Sequence, residues 1–481
     1  MNKLTIGAAA LLAIGAAASA AFPWYVGVQV EQQIVAALSE GDNDKSPIAV
    51  TLVQYRRGWL HSAATHRVSL RAEPEVYFDV HHAIRQIPDP TRGWVVIQST
   101  PQWPKAVQAA ADYYFGGKPA FSAQTVVRLD RSVGMTIESP AFSKPMLAQP
   151  EVKLTWGGAN GTMSLVQRTK LTMVLNMPRI AMDAVGVQGV FDGMQIRGDW
   201  QIADNQADWS GRSDLDVRGI LFSSPFGNAN LKGIQTTGIQ RNQGQTVMLG
   251  YTLKVREGSG SGSGEPAQSF KNAVLDVEFD RLDKKALAKY FDDVAGADQA
   301  QLAPDAYNRL VAHIALGMFG DLLKGSPEVR VKRIAVETDN GQVSGSAVIG
   351  FDGEGFAAQS GAQASPVELM QRVKFTGSAE LSSTLLQAWM AGDAREQALS
   401  ALTAQGTSFE EAQLKSLSQE MVRQQLAALE ASGLLKADGD KFVIRAEYAA
   451  GSLMINGVRG DQFLPALAPS GPAPEADDQQ A

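Results

Sequence analysis

Proton transfer or metal binding in this chain would depend first on its five histidines, which are His61, His66, His81, His82 and His313. None lies in a metal-binding spacing such as H-E-x-x-H. His61 and His66 are five residues apart on a predicted strand and would face opposite sides, so they could not easily share one ion. The adjacent His81 and His82 would also diverge, and we interpret them as a partly exposed structural pair. His313 lies among apolar residues of a predicted helix and is interpreted as a core histidine.

Residues for nucleophilic catalysis form no local motif either. The chain contains no cysteine and no G-x-S-x-G sequence, which excludes a thiolate nucleophile and the nucleophile elbow of serine hydrolases. Gly345-Ser346 and Gly377-Ser378 lie in strand-like sequence, where such pairs are typical of bulges or turns. Asp292-Asp293 and Glu410-Glu411 lie at predicted helix ends, where their charge favours solvation and the helix dipole. The residues therefore predict a non-catalytic protein with no metal and no cofactor.

An enzyme is the alternative interpretation. A periplasmic hydrolase could combine a serine, His81 or His82, and a carboxylate that are distant in sequence and meet only in the folded chain. The glycine-rich stretch that starts at Gly258 is not a phosphate loop, because it lacks the lysine and the following helix that such a loop requires.

Charge and composition narrow the class of partner. The net charge of −7 is spread along the chain, and basic residues come at most in pairs such as Arg56-Arg57 and Lys332-Arg333. This pattern excludes nucleic acid as a partner and argues against broad binding to anionic lipid headgroups. It leaves open that acyl chains are held in an apolar groove. Without disulfides, packing alone must hold the fold, and a chain of 481 residues is long enough for that.

The first thirty residues predict export from the cytoplasm. Lys3 precedes an uncharged run over residues 4–30. A helix over residues 4–21 would be about 27 Å long, and its continuation through Trp24 and Tyr25 would complete a membrane span with an aromatic belt. We therefore expect residues 1–30 to be an uncleaved anchor in the bacterial inner membrane, crossing it over residues 4–26, with the body in the periplasm. The alternative is a signal peptide cleaved near Ala20, because Ala18-Ser19-Ala20 fits a cleavage site.

The elements that must position any site are mainly strands. Three predicted hairpins run over residues 152–166, 329–351 and 442–457, with turns at 157–161, at Asn340-Gly341 and near Gly451. Lys332-Arg333 interrupts the alternation of the second hairpin and indicates a bulge. Ten further strands are expected at residues 49–55, 64–72, 95–99, 124–129, 170–175, 194–202, 214–221, 245–255, 273–279 and 373–381. A sheet of that size is expected to curve or split.

Helices are fewer. They are expected near residues 101–114, 282–323 and 382–431, the last including a helix over 409–431 with a capping box at Ser408 and Glu411 and a C′ glycine at Gly433. A shorter helix should start at Ser382-Ser383. Residues 258–264 alternate glycine and serine and predict a mobile loop, and residues 466–481 predict a disordered tail after a body over 31–465. The fold class is strand-dominated α+β: a transmembrane helix, then a large curved antiparallel sheet of hairpins with a few packed helices.

One local sequence, from Tyr55 to Ser62, stands out. Gly58 permits a bend between two strand segments, and Tyr55 and Trp59 could pack across it while Arg56 and Arg57 face water or acids. A structural corner is the interpretation we favour over a ligand site.

This corner also carries a family resemblance. Trp24-Tyr25-Val26-Gly27 followed by Y-x-R-G-aromatic-x-x-S, with Tyr55, Arg57, Gly58, Trp59 and Ser62, resembles the YdgA family of bacterial cell-envelope proteins, which has no assigned function. Further motifs that resemble this family lie near the other end of the chain: Gly433-Leu434-Leu435, Asp438-Gly439-Asp440, Tyr448, Gly451, Leu453 and Asn456-Gly457. His82-Ala83-Ile84 stands where the family pattern has His-Gly-Pro.

The resemblance implies an inner-membrane anchor, a periplasmic body and self-association, and it supplies no catalytic residues. We therefore expect a non-catalytic envelope protein in a binding or scaffolding role. Three kinds of partner are considered: a lipid held in an apolar groove, another envelope protein, or a second copy in a homo-oligomer.

Overall fold

The computed structural model describes residues 48–56, 61–71, 73–85, 95–128, 130, 132–167, 169–202, 209–262, 267–299, 303–356, 366–404 and 410–460. The chain divides into two compact units, Met1–Leu322 and Leu323–Ala481. The expected anchor and tail lie outside the described residues. The fold is strand-dominated α+β with a large, open antiparallel sheet and a few helices, as expected from the sequence.

Within its described residues, unit 1 has fifteen strands, and the pairings described below are all antiparallel. They are β1 Ile48–Arg56, β2 His61–Leu70, β3 Tyr77–Arg85, β4 Val95–Gln102, β5 Ser122–Val127, β6 Val133–Ser139, β7 Phe142–Pro145, β8 Lys153–Trp156, β9 Ala159–Val166, β10 Lys170–Ala184, β11 Val187–Ile202, β12 Trp209–Ser224, β13 Gly227–Gln243, β14 Thr246–Gly262 and β15 Gln268–Asp283. β1 to β6 pair in sequence order, β6 pairs with β9, and β9 to β15 continue in order. β8 shares the β9 edge of β10 and carries β7.

The helices in the described part of this unit are α1 Lys105–Phe115, α2 Lys284–Gln299 and α3 Pro304–Leu323, the last of which ends at the unit boundary. α1 packs against β7, and α2 packs against β15. The predicted start of the first helix at residue 101 is wrong, because Pro101 and Gln102 still pair with β3 as the end of β4. The helix ends at Gly116, whose left-handed backbone (φ 64°) suits a residue without a Cβ.

The predicted hairpin over residues 152–166 is also wrong. β8 and β9 lie one after the other along the same edge of β10, beside residues 180–183 and 170–176. Gly157 connects them without reversing the chain, and its N–H donates to the carbonyl of Arg179 at 2.7 Å. A Cβ at Gly157 would lie 2.8 Å from the Arg179 nitrogen, so the glycine permits a close backbone approach.

The mobile loop predicted at residues 258–264 is a strand through residue 262. Gly258 to Gly262 pair with β13 on one side, and Gly258 to Gly260 also pair with β15 on the other. Gly258 leaves the space that the Phe270 ring fills, since a Cβ there would lie 2.3 Å from that ring. Backbone hydrogen bonds to both neighbours therefore order a sequence that has little side-chain surface to bury.

A line of irregular residues crosses the six long strands β10 to β15. Pro178, Gly193, Arg218, Gly233, Arg256 and Asn272 lie at one level and are skipped by the pairing registers on both sides. Gly193, Gly233 and Asn272 have positive φ angles of 59°, 62° and 52°. We call this line the crease.

Unit 2 is a smaller antiparallel sheet with helices. Its strands are β16 Glu328–Thr338, β17 Gly341–Phe351, β18 Val373–Ser382, β19 Lys436–Asp438, β20 Lys441–Ala449, β21 Ser452–Ile455 and β22 Val458–Arg459, and its helices are α4 Pro366–Arg372, α5 Ser383–Ala404 and α6 Glu411–Ala431. The order is β16-β17-β18-β20, and β19 and β21 share the other edge of β20. α5 and α6 cover one face of the sheet, where Ala394, Val422, Leu426 and Phe442 form a core.

Most of the local predictions in unit 2 are confirmed. The bulge at Lys332-Arg333 is confirmed, and the second and third hairpins form as expected. α5 is longer than predicted. The N-cap of α6 is Glu410 and the capping box joins Glu410 to Gln413, so the box predicted at Ser408 and Glu411 is wrong. At the other end of the helix, Gly433 follows with a left-handed backbone (φ 80°).

Candidate functional site

One row of side chains crosses the whole unit 1 sheet on a single face. In antiparallel pairs, residues directly opposite each other point to the same side. Following the registers from β1 to β15, one row has one residue from each of thirteen strands: Tyr55, Ala64, His82, Ser99, Ala123, Ile137, Gly161, Leu175, Ile196, Leu215, Thr236, Leu253 and Leu275. No member carries a formal charge at neutral pH. At about 4.8 Å per strand the row is about 58 Å long.

A second row on this side, four residues away along each strand, is also uncharged. It consists of Val95, Val127, Val133, Leu165, Leu171, Trp200, Gly211, Gln240, Leu249 and Phe279. Leu165 and Leu171 are nearly inaccessible and pack with Met163. We call this side the apolar face.

The opposite side of the same strands is charged. Ion pairs join Lys170 to Asp199 at 3.3 Å and Arg212 to Asp214 at 2.8 Å, and all four residues alternate with members of the apolar rows. The sheet is therefore amphipathic across its width, as expected when only one face meets water.

The apolar face is not fully covered. Tyr251 and Phe279 belong to it and are 43% and 38% exposed. Leu215, Leu253 and Leu275 are only half-buried. Large apolar side chains thus remain accessible on the β12 to β15 part of the face.

At the crease, the apolar positions move by one residue in every long strand. In β10 most of the apolar residues are odd-numbered up to Met177 and even-numbered from Ile180 onward. Their pairing partners in β11, Met194 and Phe191, show the same change of one position. Arg218, on the crease, contacts Asp192 beyond it at 3.4 Å. Three of the six crease residues, Gly193, Gly233 and Asn272, are left-handed, and a left-handed residue turns a strand enough to shift the alternation of its side chains. We infer that the apolar face continues across the crease while the charged residues stay together on the other side.

Polar residues interrupt the apolar face at its β2 to β4 end. Nδ1 of His82 and Oγ of Ser99 are 2.8 Å apart, and the rings of His66 and His82 meet edge to face with centroids 5.0 Å apart. His66 and Ser62 are 4% and 6% exposed. His81 and His82 are both partly buried, in keeping with the predicted partly exposed pair, but the prediction missed that His82 contacts a histidine sixteen residues away in sequence.

The chemistry of this cluster is limited. Burial lowers the pKa of His82 to about 4, with smaller effects from the adjacent positive charge of His66 and His81. A neutral imidazole of such low basicity is a weak general base. Asp79, an acid on the same strand, points to the other face and forms an ion pair with Arg67 at 2.8 Å. Among the described residues no group of three or more acidic or histidine side chains could hold a metal ion.

The corner predicted from Tyr55 to Ser62 is described only at its two ends. Tyr55 lies opposite Ala64 and is half-buried, and Ser62 lies opposite Ile84 and is buried. Arg57, Gly58 and Trp59 lie outside the described residues. Tyr55 and Ser62 thus both belong to the sheet side that carries His66 and His82.

Asn456 and Gly457, predicted as a motif at the other end of the chain, form a hydrogen-bonded junction in unit 2. Both have positive φ angles, 50° and 84°, in the turn between β21 and β22. The amide Nδ2 of Asn456 donates to the carbonyls of Gly433 at 3.2 Å, Leu434 at 3.0 Å and Val443 at 3.3 Å. Its Oδ1 accepts from the N–H of Arg445 at 2.8 Å. Asn456 therefore joins the end of α6, β20 and the last turn, which is a structural role.

The sequence did contain a signal for the apolar face that the strand predictions missed. Four of the predicted strands, at 170–175, 194–202, 245–255 and 273–279, begin or end near the crease, because the two-residue alternation fails there by one position; the strand predicted at 214–221 crosses it. Joining the segments on both sides of that shift would have given the full strands. No helix within the described residues is both long and apolar enough to span a membrane, and the segment expected to do so lies outside them.

Comparison with known proteins gives one result. No curated protein and no solved structure matches the chain. Residues 1–459 match a family described as bacterial proteins of unknown function, DUF945. The match covers the corner at Tyr55, the histidine cluster, the apolar face and the Asn456 junction. The chain is therefore a member of the DUF945 family.

Proposed function

We propose that this protein is a non-catalytic envelope protein that holds lipid acyl chains on the apolar face of its unit 1 sheet. The observation that carries the proposal is the row from Tyr55 to Leu275, in which no residue of the thirteen strands carries a charge and polar side chains are few, such as those of His82 and Ser99. No member of this row is fully exposed, but Tyr251 and Phe279 on the same face are 43% and 38% exposed, and accessible apolar surface of this kind is typical of a binding site. The row length of about 58 Å exceeds the acyl layer of one leaflet, about 15 Å, so more than one chain could lie along it.

The position in the cell is part of the proposal. An anchor over residues 4–26 in the inner membrane would place the sheet in the periplasm beside a lipid source. The likeness to YdgA proteins favours this arrangement. N-terminal sequencing of the mature protein tests it: a chain that begins at Ala21 would show a cleaved signal peptide instead. Self-association is a separate expectation, and chemical cross-linking in membranes that yields only monomers would exclude it.

Lipid analysis of matched variants tests the binding role. Leu253 and Leu275 are paired on the apolar face, and Thr252 and Asp276 are paired one residue away on the charged face. The L253N/L275N variant should lose lipid that co-purifies with the full chain, and the T252N/D276N variant should keep it. Circular dichroism of both variants checks that the sheet is intact. Equal lipid content in the two variants would refute the proposal.

A hydrolase is the second candidate, favoured by the 2.8 Å contact between Ser99 and His82. It is weaker because the low pKa of His82 makes it a poor base, and because Asp79 lies on the opposite face. Turnover of acyl esters that disappears in the S99A variant, with the lipid content unchanged, would favour the hydrolase over the binding protein.

A further inference from the structure

Two adjacent hairpin turns at one end of the long strands expose large apolar side chains. Val185 and Gly186 connect β10 to β11, and Pro225 and Phe226 connect β12 to β13. Val185 is 90% exposed and Phe226 is 83% exposed. The two turns are neighbours, since a Cβ at Gly186 would lie 3.6 Å from the Pro225 ring. We call these four residues the tip.

An apolar row lies just behind the tip. Met182 and Phe222 are 40% and 48% exposed, and both pair with Gly189 of the strand between them. Met182 also pairs with Leu154 of β8, and Phe222 pairs with Ala229 of β13. Because Gly189 has no side chain, the larger neighbours stay accessible. The tip is therefore continuous with the part of the apolar face that lies beyond the crease.

Charge is almost absent between the crease and the tip. Within the described residues 180–191, 220–231, 258–262 and 267–270, the single charged side chain is that of Asp183, which lies opposite Lys153 of β8. Charges are concentrated instead in a band at the crease: Arg179, Asp192, Arg218, Lys232, Arg256, Glu257 and Lys271. Five cations against two acids give this band a net charge of +3, in a chain whose net charge is −7.

The spacing of the band and the tip matches a membrane surface. Arg179 and the last residue of β10, Ala184, are five residues apart, which is about 16 Å along a strand. The acyl layer of one leaflet is about 15 Å thick. Turns that enter the acyl layer would therefore bring the cations of the band to the level of the phosphate groups.

We propose that the tip inserts into a phospholipid membrane, with the cation band on its headgroups, so that the apolar face opens onto the acyl layer. A protein partner or a second copy fits the tip less well, because four uncharged residues offer few polar groups for a specific contact, whereas net positive charge beside an uncharged apolar end complements anionic lipid. The function of this insertion, which is to bring acyl chains onto the apolar face, rests on the proposed acyl-chain role.

Site-specific labelling tests the insertion. The chain has no cysteine, so F226C places a single polarity-sensitive fluorophore at the tip without background. Q245C provides the control, because exposed Gln245 lies in the turn at the opposite end of β13 and β14. Each labelled full chain is reconstituted into vesicles of phosphatidylethanolamine and phosphatidylglycerol that contain doxyl-labelled lipid. The label at position 226 should shift its emission to shorter wavelength and be quenched, and the label at position 245 should do neither.

Three results would overturn the inference. They are a label at position 226 that stays in water, insertion of both labels to the same depth, and disulfide formation between two unlabelled F226C chains when an oxidant is added to the same vesicles. V185C supplies a second label if F226C perturbs the turn. The depth measurement does not depend on bound lipid: a tip that stays in water while lipid still co-purifies refutes membrane insertion alone, and an inserted tip without co-purified lipid refutes acyl-chain binding alone.

Discussion

Replacement of Asn456 by alanine should destabilise unit 2 by about 4 kcal/mol. Its side chain makes one accepted hydrogen bond, to the Arg445 N–H, and shares its two amide hydrogens among three backbone carbonyls. At about 1 kcal/mol net for each of three hydrogen bonds, about 3 kcal/mol is lost. Alanine at φ 50° adds about 1 kcal/mol of backbone strain.

The N456G variant separates these two contributions. Glycine accepts the positive φ angle without strain, so N456G should lose only the hydrogen-bond part, about 3 kcal/mol. N340A is the control, because Asn340 is an exposed turn residue of the same unit. Urea unfolding combined with hydrogen exchange at the amides of β20 measures the local loss. A stability of N456A within about 1 kcal/mol of the wild type would refute the reasoning, as would equal effects of N456A and N456G.

Two further predictions concern unit 1. The pKa of His82 is about 4 in the folded chain and 6.5 in the unfolded chain, so between these pH values the unfolded state binds one proton more than the folded state. The free energy of unfolding should therefore fall by about 3 kcal/mol as the pH drops from 6.5 to 4. Urea titrations at several pH values should show this loss in H61Q and not in H82Q. The G258A substitution should lower the stability of the fold by about 1–3 kcal/mol, because the added Cβ would lie 2.3 Å from the Phe270 ring. G189A is the control, since a Cβ at Gly189 would have no atom within 4 Å. Equal melting temperatures of the two variants would contradict this prediction.

Much of the fold follows from local sequence. Turns whose residues need positive φ angles, such as Ala450-Gly451 and Asn456-Gly457, have sequence signals that identify the hairpins of unit 2. The bulge at Lys332-Arg333 is visible because it breaks a regular alternation. These features depend on neighbours within a few residues, which is the range that a single sequence reports well.

The remaining errors have physical causes. The glycine-serine run that starts at Gly258 is predicted to be a loop because its order comes from hydrogen bonds to neighbouring strands and not from its own side chains. Gly157 and Gly158 suggest a reversal in the sequence because their actual contacts lie on other strands: Gly157 approaches the backbone of Arg179, and Gly158 approaches that of Ser139. The contact between His66 and His82 was missed for the same reason, since strand register decides it and the sequence spacing does not.

Photo-cross-linking at two adjacent positions tests lipid binding on the apolar face most directly. A benzophenone amino acid at position 251 replaces a tyrosine that is on the apolar face and 43% exposed, and the same group at position 252 points to the charged face. In native membranes, the full chain labelled at position 251 should give lipid adducts by mass spectrometry, and the chain labelled at position 252 should give none. Protein adducts without lipid at position 251, or equal lipid labelling at both positions, would contradict the account.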